Sequence, residues 1–145
     1  MSRIEIPLYY CKSRVPLVLF RLTDDGDKHV GIIDTGSEVS MFDYSLKGSG
    51  MDEMNDGVDT SFIGVNGSGK TSKVSQVKGE LVFRSAETDC VVQAEGVLFD
   101  FGSLTEAFQR RTEKDISISA LLGSDFLKKY DAKIDYRRKK LTITI

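Results

Sequence analysis

Residues 31–42 read GIIDTGSEVSMF and place one carboxylate at the end of an apolar strand. Ile32 and Ile33 are β-branched and favour a buried strand that ends at Asp34. Gly36 allows the chain to turn sharply, and apolar residues resume at Val39. A hydroxyl residue and a glycine directly after an acid are a good way to hold its carboxylate rigidly. Asp34 is therefore the first candidate for a catalytic residue, although Asp-Thr-Gly is also a common turn.

A single carboxylate does not suffice for acid–base hydrolysis of a peptide bond. Two carboxyl groups about 3 Å apart cannot both ionise, so one can activate a water while the other protonates the carbonyl oxygen. Because Asp-Thr-Gly occurs once in the chain, the second carboxylate has to come from another copy across a twofold axis. The sequence therefore predicts a homodimer.

Residues 64–71, GVNGSGKT, make a competing claim, because they fit the phosphate-binding pattern G-x-x-x-x-G-K-[ST]. That loop needs a helix directly after the lysine. The residues after Lys70, TSKVSQVKGELVF, favour a strand instead. We interpret the region as a hairpin with arm FIGV, tip NGSG and a returning arm from Lys70. Nucleotide binding stays the less favoured alternative.

The remaining patterns predict a mostly β chain with one or two helices. Ser45 to Thr60 is polar and glycine-rich, which predicts a long loop with at most one short helical turn. The expected elements are a hairpin from Val15 to Asp34, strands in DCVVQAEGVLFDF and ISISALLG, a helix from Leu104 to Lys114 with a Ser103–Glu106 capping box, a short helix capped by Ser124, and a closing hairpin in AKIDYRRKKLTITI.

Composition bounds the class of protein. The 145 residues suit one domain, 1–145, and 40% of them are hydrophobic. With 20 basic and 22 acidic residues, the net charge of −2 gives no argument for nucleic acid or an anionic membrane as partner. The basic run 137–140 is read as an exposed turn. Since neither a signal peptide nor a membrane span can be read, we expect a soluble, cytoplasmic protein.

The metal-binding and nucleophilic residue types are sparse. Cys11 and Cys90 are isolated, so free thiols are expected rather than a disulfide or a zinc site. His29 is the one histidine and follows a turn, which predicts a surface position and leaves no partner for a Ser-His or Cys-His pair. We expect no metal and no cofactor.

Together these stretches resemble the retropepsin-like aspartic proteases, the single-lobed enzymes of retroviruses and retrotransposons and the related domain of DNA-damage-inducible ubiquitin-shuttle proteins. GIIDTGSEVSMF is similar to the catalytic strand and loop, FIGVNGSG to the flap, and ISALLGSDFLKKYDAKIDYRRKKLTI to the closing section. The resemblance implies a single-lobed, closed β-barrel with one or two short helices. It also implies an aspartic endopeptidase that acts on peptide or protein substrates as a homodimer.

The resemblance also assigns roles to residues. Asp34 would be the catalytic acid or base, Thr35 would bond across the dimer, and Gly36 would offer its backbone to the substrate. Leu121, Leu122 and Gly123 would pack under the loop. The other implied substrate contacts are Ser37 and Glu38 in the loop and Val65, Asn66, Gly67, Ser68 and Gly69 at the flap tip.

The sequence departs from the family at several points. Ser124 stands where the retroviral enzymes usually have an arginine that holds an acidic residue near the active site, and Glu38 would take the acidic position. Relative to the family, the helix near 104–114 and the loop 45–60 look like insertions, which would rim the cleft or block the dimer contact. A protease fold serving only to dimerise or to bind peptides is the other alternative.

Overall fold

The structure is a computed structural model that describes residues 2–23, 26–54, 58–61, 71–86 and 88–145. The helices are α1 (Gly102–Thr112) and α2 (Ser124–Lys129), and a single 3-10 turn covers Tyr44–Leu46. The strands are β1 (Arg3–Pro7), β2 (Leu17–Leu22), β3 (Lys28–Ile33), β4 (Met41–Asp43), β5 (Met51–Glu53), β6 (Val58–Ser61), β7 (Thr71–Val74), β8 (Gln76–Ser85), β9 (Thr88–Phe99), β10 (Ile118–Leu122), β11 (Lys133–Asp135) and β12 (Lys140–Thr144).

Six strands form a closed barrel in the order β2, β3, β10, β4, β9 and β8, with β8 pairing back to β2. The closure depends on β8, which pairs with β9 along its whole length. The other edge of β8 pairs with two strands: with β5, where Glu53 lies opposite Val77, and with β2, where Leu22 lies opposite Leu81. The predicted mostly β, closed barrel with one or two short helices is confirmed, with two helices among the described residues.

The strands next to the Asp-Thr-Gly turn separate two layers of apolar side chains. β3 and β10 run parallel, and β4 pairs antiparallel with β10 on its other side. Ile33, Phe42 and Leu122 point into the barrel core. Their neighbours point outward into a second cluster under α1, which contains Phe101 and Phe108 of the α1 region and Ile32, Met41 and Leu121 of the strands. Helix α1 therefore covers the outer face of the strands that lead to Asp34.

The two ends of the chain lie in one small sheet, in the order β1, β12 and β11. The predicted closing hairpin is β11 and β12, where Ile134 faces Leu141. β1 then pairs antiparallel with β12, and Ile6, Leu141 and Ile143 are fully buried. Arg137, Arg138 and Lys139 are exposed in the connecting turn, as expected for the basic run.

Both helices begin differently from the prediction. Helix α1 starts two residues earlier than predicted. Its N-cap residue is Phe101, whose side chain makes no capping hydrogen bond. The Ser103–Glu106 capping box was therefore wrong, because the Asp100 carboxylate accepts the N–H of Gly102 and supplies the first acceptor. Ser124 is the first residue of α2 and caps nothing with its side chain.

The predicted loop 45–60 was wrong in part, because β5 and the start of β6 fall within it. Strand β5 lies against β8, with Met51 fully buried opposite Gly79. A Cβ at Gly79 would come within 2.2 Å of the Gly50 carbonyl oxygen, so the glycine is what permits the close approach.

His29 was expected on the surface, but it is half-buried, and its ring lies 5.4 Å from that of Phe20. Cys11 is exposed, Cys90 is buried, and neither forms a disulfide. Within the described ranges, neither helix is long and apolar enough to cross a membrane.

Candidate active site

Asp34 is the first residue after β3 and is held against the neighbouring parallel strand. Its backbone N–H donates to the carbonyl oxygen of Leu122 at 3.0 Å, and both Ile33 and Leu122 are buried. The side chain of Asp34 is half-exposed, so its carboxylate leaves the end of a rigid strand pair at the protein surface. This is the position that the sequence predicted for it.

The residues after Asp34 form a turn that orients the carboxylate. The N–H of Gly36 donates to Asp34 Oδ1 at 2.9 Å, and the N–H of Ser37 donates to the Asp34 carbonyl oxygen at 3.3 Å. An aspartate that accepts a bond from the residue two positions later is a common turn device. Across the described ranges, no hydrogen bond reaches the other oxygen, Oδ2. That oxygen is available to a water, a substrate or a second carboxyl group.

Thr35 and Gly36 are exposed at the tip of this turn. Ser37 is half-buried, and its hydroxyl donates to the carbonyl oxygen of Val39 at 2.8 Å. Its proton is therefore used within the loop, although its oxygen can still accept a bond. Glu38 is exposed.

The loop from Asp34 to Ser40 rests on the segment that follows β10. The carbonyl oxygen of Ser37 accepts the N–H of Ser124 at 2.7 Å. Gly123 is buried beneath it, and a Cβ there would lie 2.6 Å from the same oxygen and 3.0 Å from the Val39 backbone. Gly123 thus lies beneath the loop and Leu122 is bonded to its first residue, whereas Leu121 packs in the cluster under α1.

Two residues that the sequence analysis missed hold the end of the loop. Ser40 is fully buried, and both its N–H and its hydroxyl donate to the carboxylate of Asp125, at 3.1 and 2.6 Å. Asp125 is therefore an acidic residue that holds the loop from outside it, and the role expected of Glu38 stays a prediction. The sequence signal is weak: a serine directly before β4 and an aspartate in the first turn of α2, 85 positions apart.

The flap-tip residues Val65, Asn66, Gly67, Ser68 and Gly69 lie outside the described residues. The strands on either side of them are described: β6 and β7 run antiparallel, with Ser61 opposite Thr71. A phosphate-binding loop needs a helix after Lys70, whereas Thr71–Val74 is a strand. The nucleotide-binding alternative is contradicted at this point.

Asp43, at the end of β4, is a carboxyl group whose pKa is shifted. Burial raises its pKa, but hydrogen bonds from the Ser45 hydroxyl and from the N–H groups of Phe101, Ser45 and Tyr44 outweigh burial and hold the pKa below its usual value. Asp43 thereby ties β4 to the start of α1. Among the described residues, no three His, Cys, Asp or Glu side chains are grouped to hold a metal.

No protein-family model and no curated protein sequence matches the chain. Among solved structures, it is similar to a retropepsin-like aspartic protease from Rickettsia conorii, at 16% identity and a TM-score of 0.50, over 98% of this chain and 89% of that one. The retroviral protease-like domain of Ddi1 from Leishmania major gives 12% identity and a TM-score of 0.46, over 99% and 89%. The chain has the retropepsin-like aspartic protease fold.

Proposed function

We propose that the protein is an aspartic endopeptidase whose catalytic pair is Asp34 from each of two identical chains. The observation that carries this proposal is the setting of Asp34. Its backbone is tied to Leu122, one carboxylate oxygen is held by Gly36, and no hydrogen bond from the described residues reaches the other. The retropepsin-like fold supports the proposal further, because the similar Rickettsia protein is described as an aspartic protease.

The proposed chemistry uses one proton shared between the two carboxyl groups. The ionised Asp34 takes a proton from a water, whose oxygen attacks the peptide carbonyl carbon. The protonated Asp34 gives its proton to the carbonyl oxygen, and a tetrahedral diol forms. On collapse of the diol the C–N bond breaks: the carboxyl group that took the water proton gives it to the leaving amine, and the other carboxylate takes a proton from a diol hydroxyl. Each step needs two carboxyl groups, and the chain offers one in this setting.

We propose that the twofold contact forms around the exposed turn at Thr35 and Gly36. The Thr35 hydroxyl is then in a position to bond to the partner's loop, and the two Oδ2 atoms face each other. The terminal strands are an alternative means of dimerisation, by exchange between protomers. We favour the first arrangement because β1 pairs with β12 of its own chain from Arg3 to Pro7.

The proposed substrate is an extended peptide. β6 and β7 are the antiparallel strands at the base of the predicted flap, and residues 62–70 join them. An extended peptide can pair with such a hairpin as an added strand, so that backbone bonds supply affinity and side chains supply selectivity. Under this proposal Val65 to Gly69 cover the peptide, while Ser37 and Glu38 contact it from the loop.

The test is hydrolysis of a broad peptide library between about pH 4 and 7, where a shared-proton carboxyl pair operates. We expect cleavage by the wild type and none by Asp34→Asn. A folded wild-type protein that cleaves no peptide in this range, yet binds peptides or dimerises, would favour the non-catalytic module instead.

A further inference from the structure

We propose that Ser40 and Asp125 form a latch that fixes the Asp34 loop, and that both are positioning residues for the proposed hydrolysis. The inference rests on the proposed function for its catalytic part. The latch itself rests on hydrogen bonds between two parts of the chain that are distant in sequence.

The Asp125 carboxylate accepts bonds with both oxygens. Oδ2 accepts the backbone N–H of Ser40 at 3.1 Å, and Oδ1 accepts the Ser40 hydroxyl at 2.6 Å and the N–H of Phe126 at 2.8 Å. Bonds to an ionised acceptor are shorter and stronger than those between neutral groups. The two bonds from Ser40 fix both its backbone and its side chain.

The Ser40 hydroxyl also accepts a bond, from the buried N–H of Gly123 at 3.0 Å. It therefore links the Asp125 carboxylate to the backbone of Gly123, directly after the end of β10 at Leu122. The carbonyl oxygen of Leu122 in turn accepts the N–H of Asp34. A continuous series of bonds thus runs from Asp125 through Ser40 and Gly123 to Asp34.

The latch closes one end of a loop that is fixed at three points. The loop begins at the bond between Asp34 and Leu122, is held midway by Ser37 and Ser124, and ends at Ser40. The Ser40 carbonyl oxygen is occupied as well, because it accepts the N–H of Val97 at 3.0 Å. With its backbone paired on both sides, Ser40 gives the loop a fixed end point.

A catalytic pair is sensitive to such support, because a displacement of about 1 Å can lower a rate by roughly 100-fold. In Asp125→Asn one of the two acceptor oxygens becomes an NH2 donor, so either the hydroxyl or the N–H of Ser40 loses its acceptor, and the loop gains freedom at its far end. No hydrogen bond between the described residues joins Asp125 to Asp34 directly, so we expect its effect to pass through Ser40.

The test compares Asp125→Asn and Ser40→Ala with Asp131→Asn as the matched control. Asp131 is exposed after α2 with a φ of 44°, a conformation that asparagine also adopts, so the control removes the same charge without touching the latch. For correctly folded protein we expect kcat to fall by about 10- to 100-fold in both latch variants, with KM changed by less than about 3-fold. The double variant should be little worse than Ser40→Ala alone, because the two residues act as one unit.

Amide hydrogen exchange provides a readout that does not depend on activity. We expect faster exchange at Ser40 and Gly123 in Asp125→Asn, with unchanged exchange at Leu141 and Ile143 in the terminal sheet. Equal acceleration throughout the chain, or an unchanged kcat, would overturn the latch as a positioning device. If the wild type hydrolyses nothing, the proposed function fails, and the exchange pattern still decides whether the latch orders the loop.

Discussion

The N–H of Asp34 donates to the carbonyl oxygen of Leu122 at 3.0 Å, which joins the candidate catalytic residue to the end of a parallel strand. The last residues of the two paired strands, Ile33 and Leu122, are buried. The carboxylate therefore starts from a fixed backbone, and its remaining freedom is limited by the Gly36 N–H. Such preorganisation is what acid–base catalysis by a carboxyl pair requires.

We predict that Asp34→Asn removes hydrolysis and leaves the fold intact. Asparagine keeps an oxygen that can accept the Gly36 N–H, but it can neither take nor give a proton at neutral or acid pH. Activity should fall by about 100- to 10,000-fold, the usual contribution of general acid–base groups. Peptide hydrolysis and circular dichroism measure the two effects; residual cleavage near the wild-type rate would show that another group does the chemistry.

We predict that Gly123→Ala disturbs the Asp34 loop. The new Cβ would lie 2.6 Å from the Ser37 carbonyl oxygen and 3.0 Å from the backbone of Val39, so the loop has to move. Overpacking of this kind costs about 1–3 kcal/mol in the free energy of unfolding. Denaturant unfolding and peptide hydrolysis should both show the loss.

Gly102→Ala is the control for that variant. Gly102 is the exposed first residue of α1, and its new Cβ would meet only the Asp100 carboxylate, at 3.2 Å. We expect a change in unfolding free energy within about 0.5 kcal/mol. Equal losses for the two glycines would contradict the tight contact beneath the loop.

We predict that Asp43 makes the free energy of unfolding depend on pH in the acid range. Its pKa in the folded state lies below the usual 3.8, so its ionised form stabilises the protein above that value, and this contribution is lost as the pH falls through the folded-state pKa. Asp43→Asn should be less stable than the wild type at pH 7 by about 1 kcal/mol. The difference should shrink when unfolding is measured in increasingly acidic solution, below the usual pKa of the group.

Asp52→Asn removes a carboxyl group that is exposed on β5 and serves as the control for loss of charge. A difference between wild type and Asp43→Asn that stays constant from neutral to strongly acidic solution would refute the assigned role of the hydrogen bonds from Ser45 and Phe101.

We predict that ATP with magnesium does not stabilise the protein. A ligand that binds only the folded state raises the melting temperature by mass action. Because Thr71–Val74 is a strand, the helix N-terminus that would bind the phosphates is missing after Lys70. Millimolar ATP should leave the melting temperature of the wild type and of Lys70→Ala unchanged; a shift that only the wild type shows would restore the nucleotide-binding alternative.

The features predicted well from the sequence are those set by neighbouring residues. Alternation and turn residues locate the strand before Asp34, the helix after Gly123 and the hairpin that faces Ile134 towards Leu141. The strand after Lys70 follows from its β-forming residues. Closure of the barrel through β2 and β8 was implied only by the resemblance, because no local signal reports which strands pair.

The features that were missed depend on partners far along the chain. Strand β5 is three residues long and exists because Gly79 lets its backbone come close. The start of α1 is set by Asp100, whose carboxylate accepts the N–H of Gly102, so the helix begins before the predicted capping box. The pairing of Ser40 with Asp125 spans 85 residues, and neither residue is unusual in its own stretch of sequence.

The account depends most on the claim that two chains share one pair of carboxyl groups, and mixed dimers test it directly. Wild type and Asp34→Asn are co-expressed in varied ratios, and native mass spectrometry gives the composition of the dimers. Because only dimers with two aspartates can act, activity should fall as the square of the wild-type fraction, to about a quarter at equal amounts. A linear fall, to about half, would mean that each chain works alone and would contradict the shared catalytic pair.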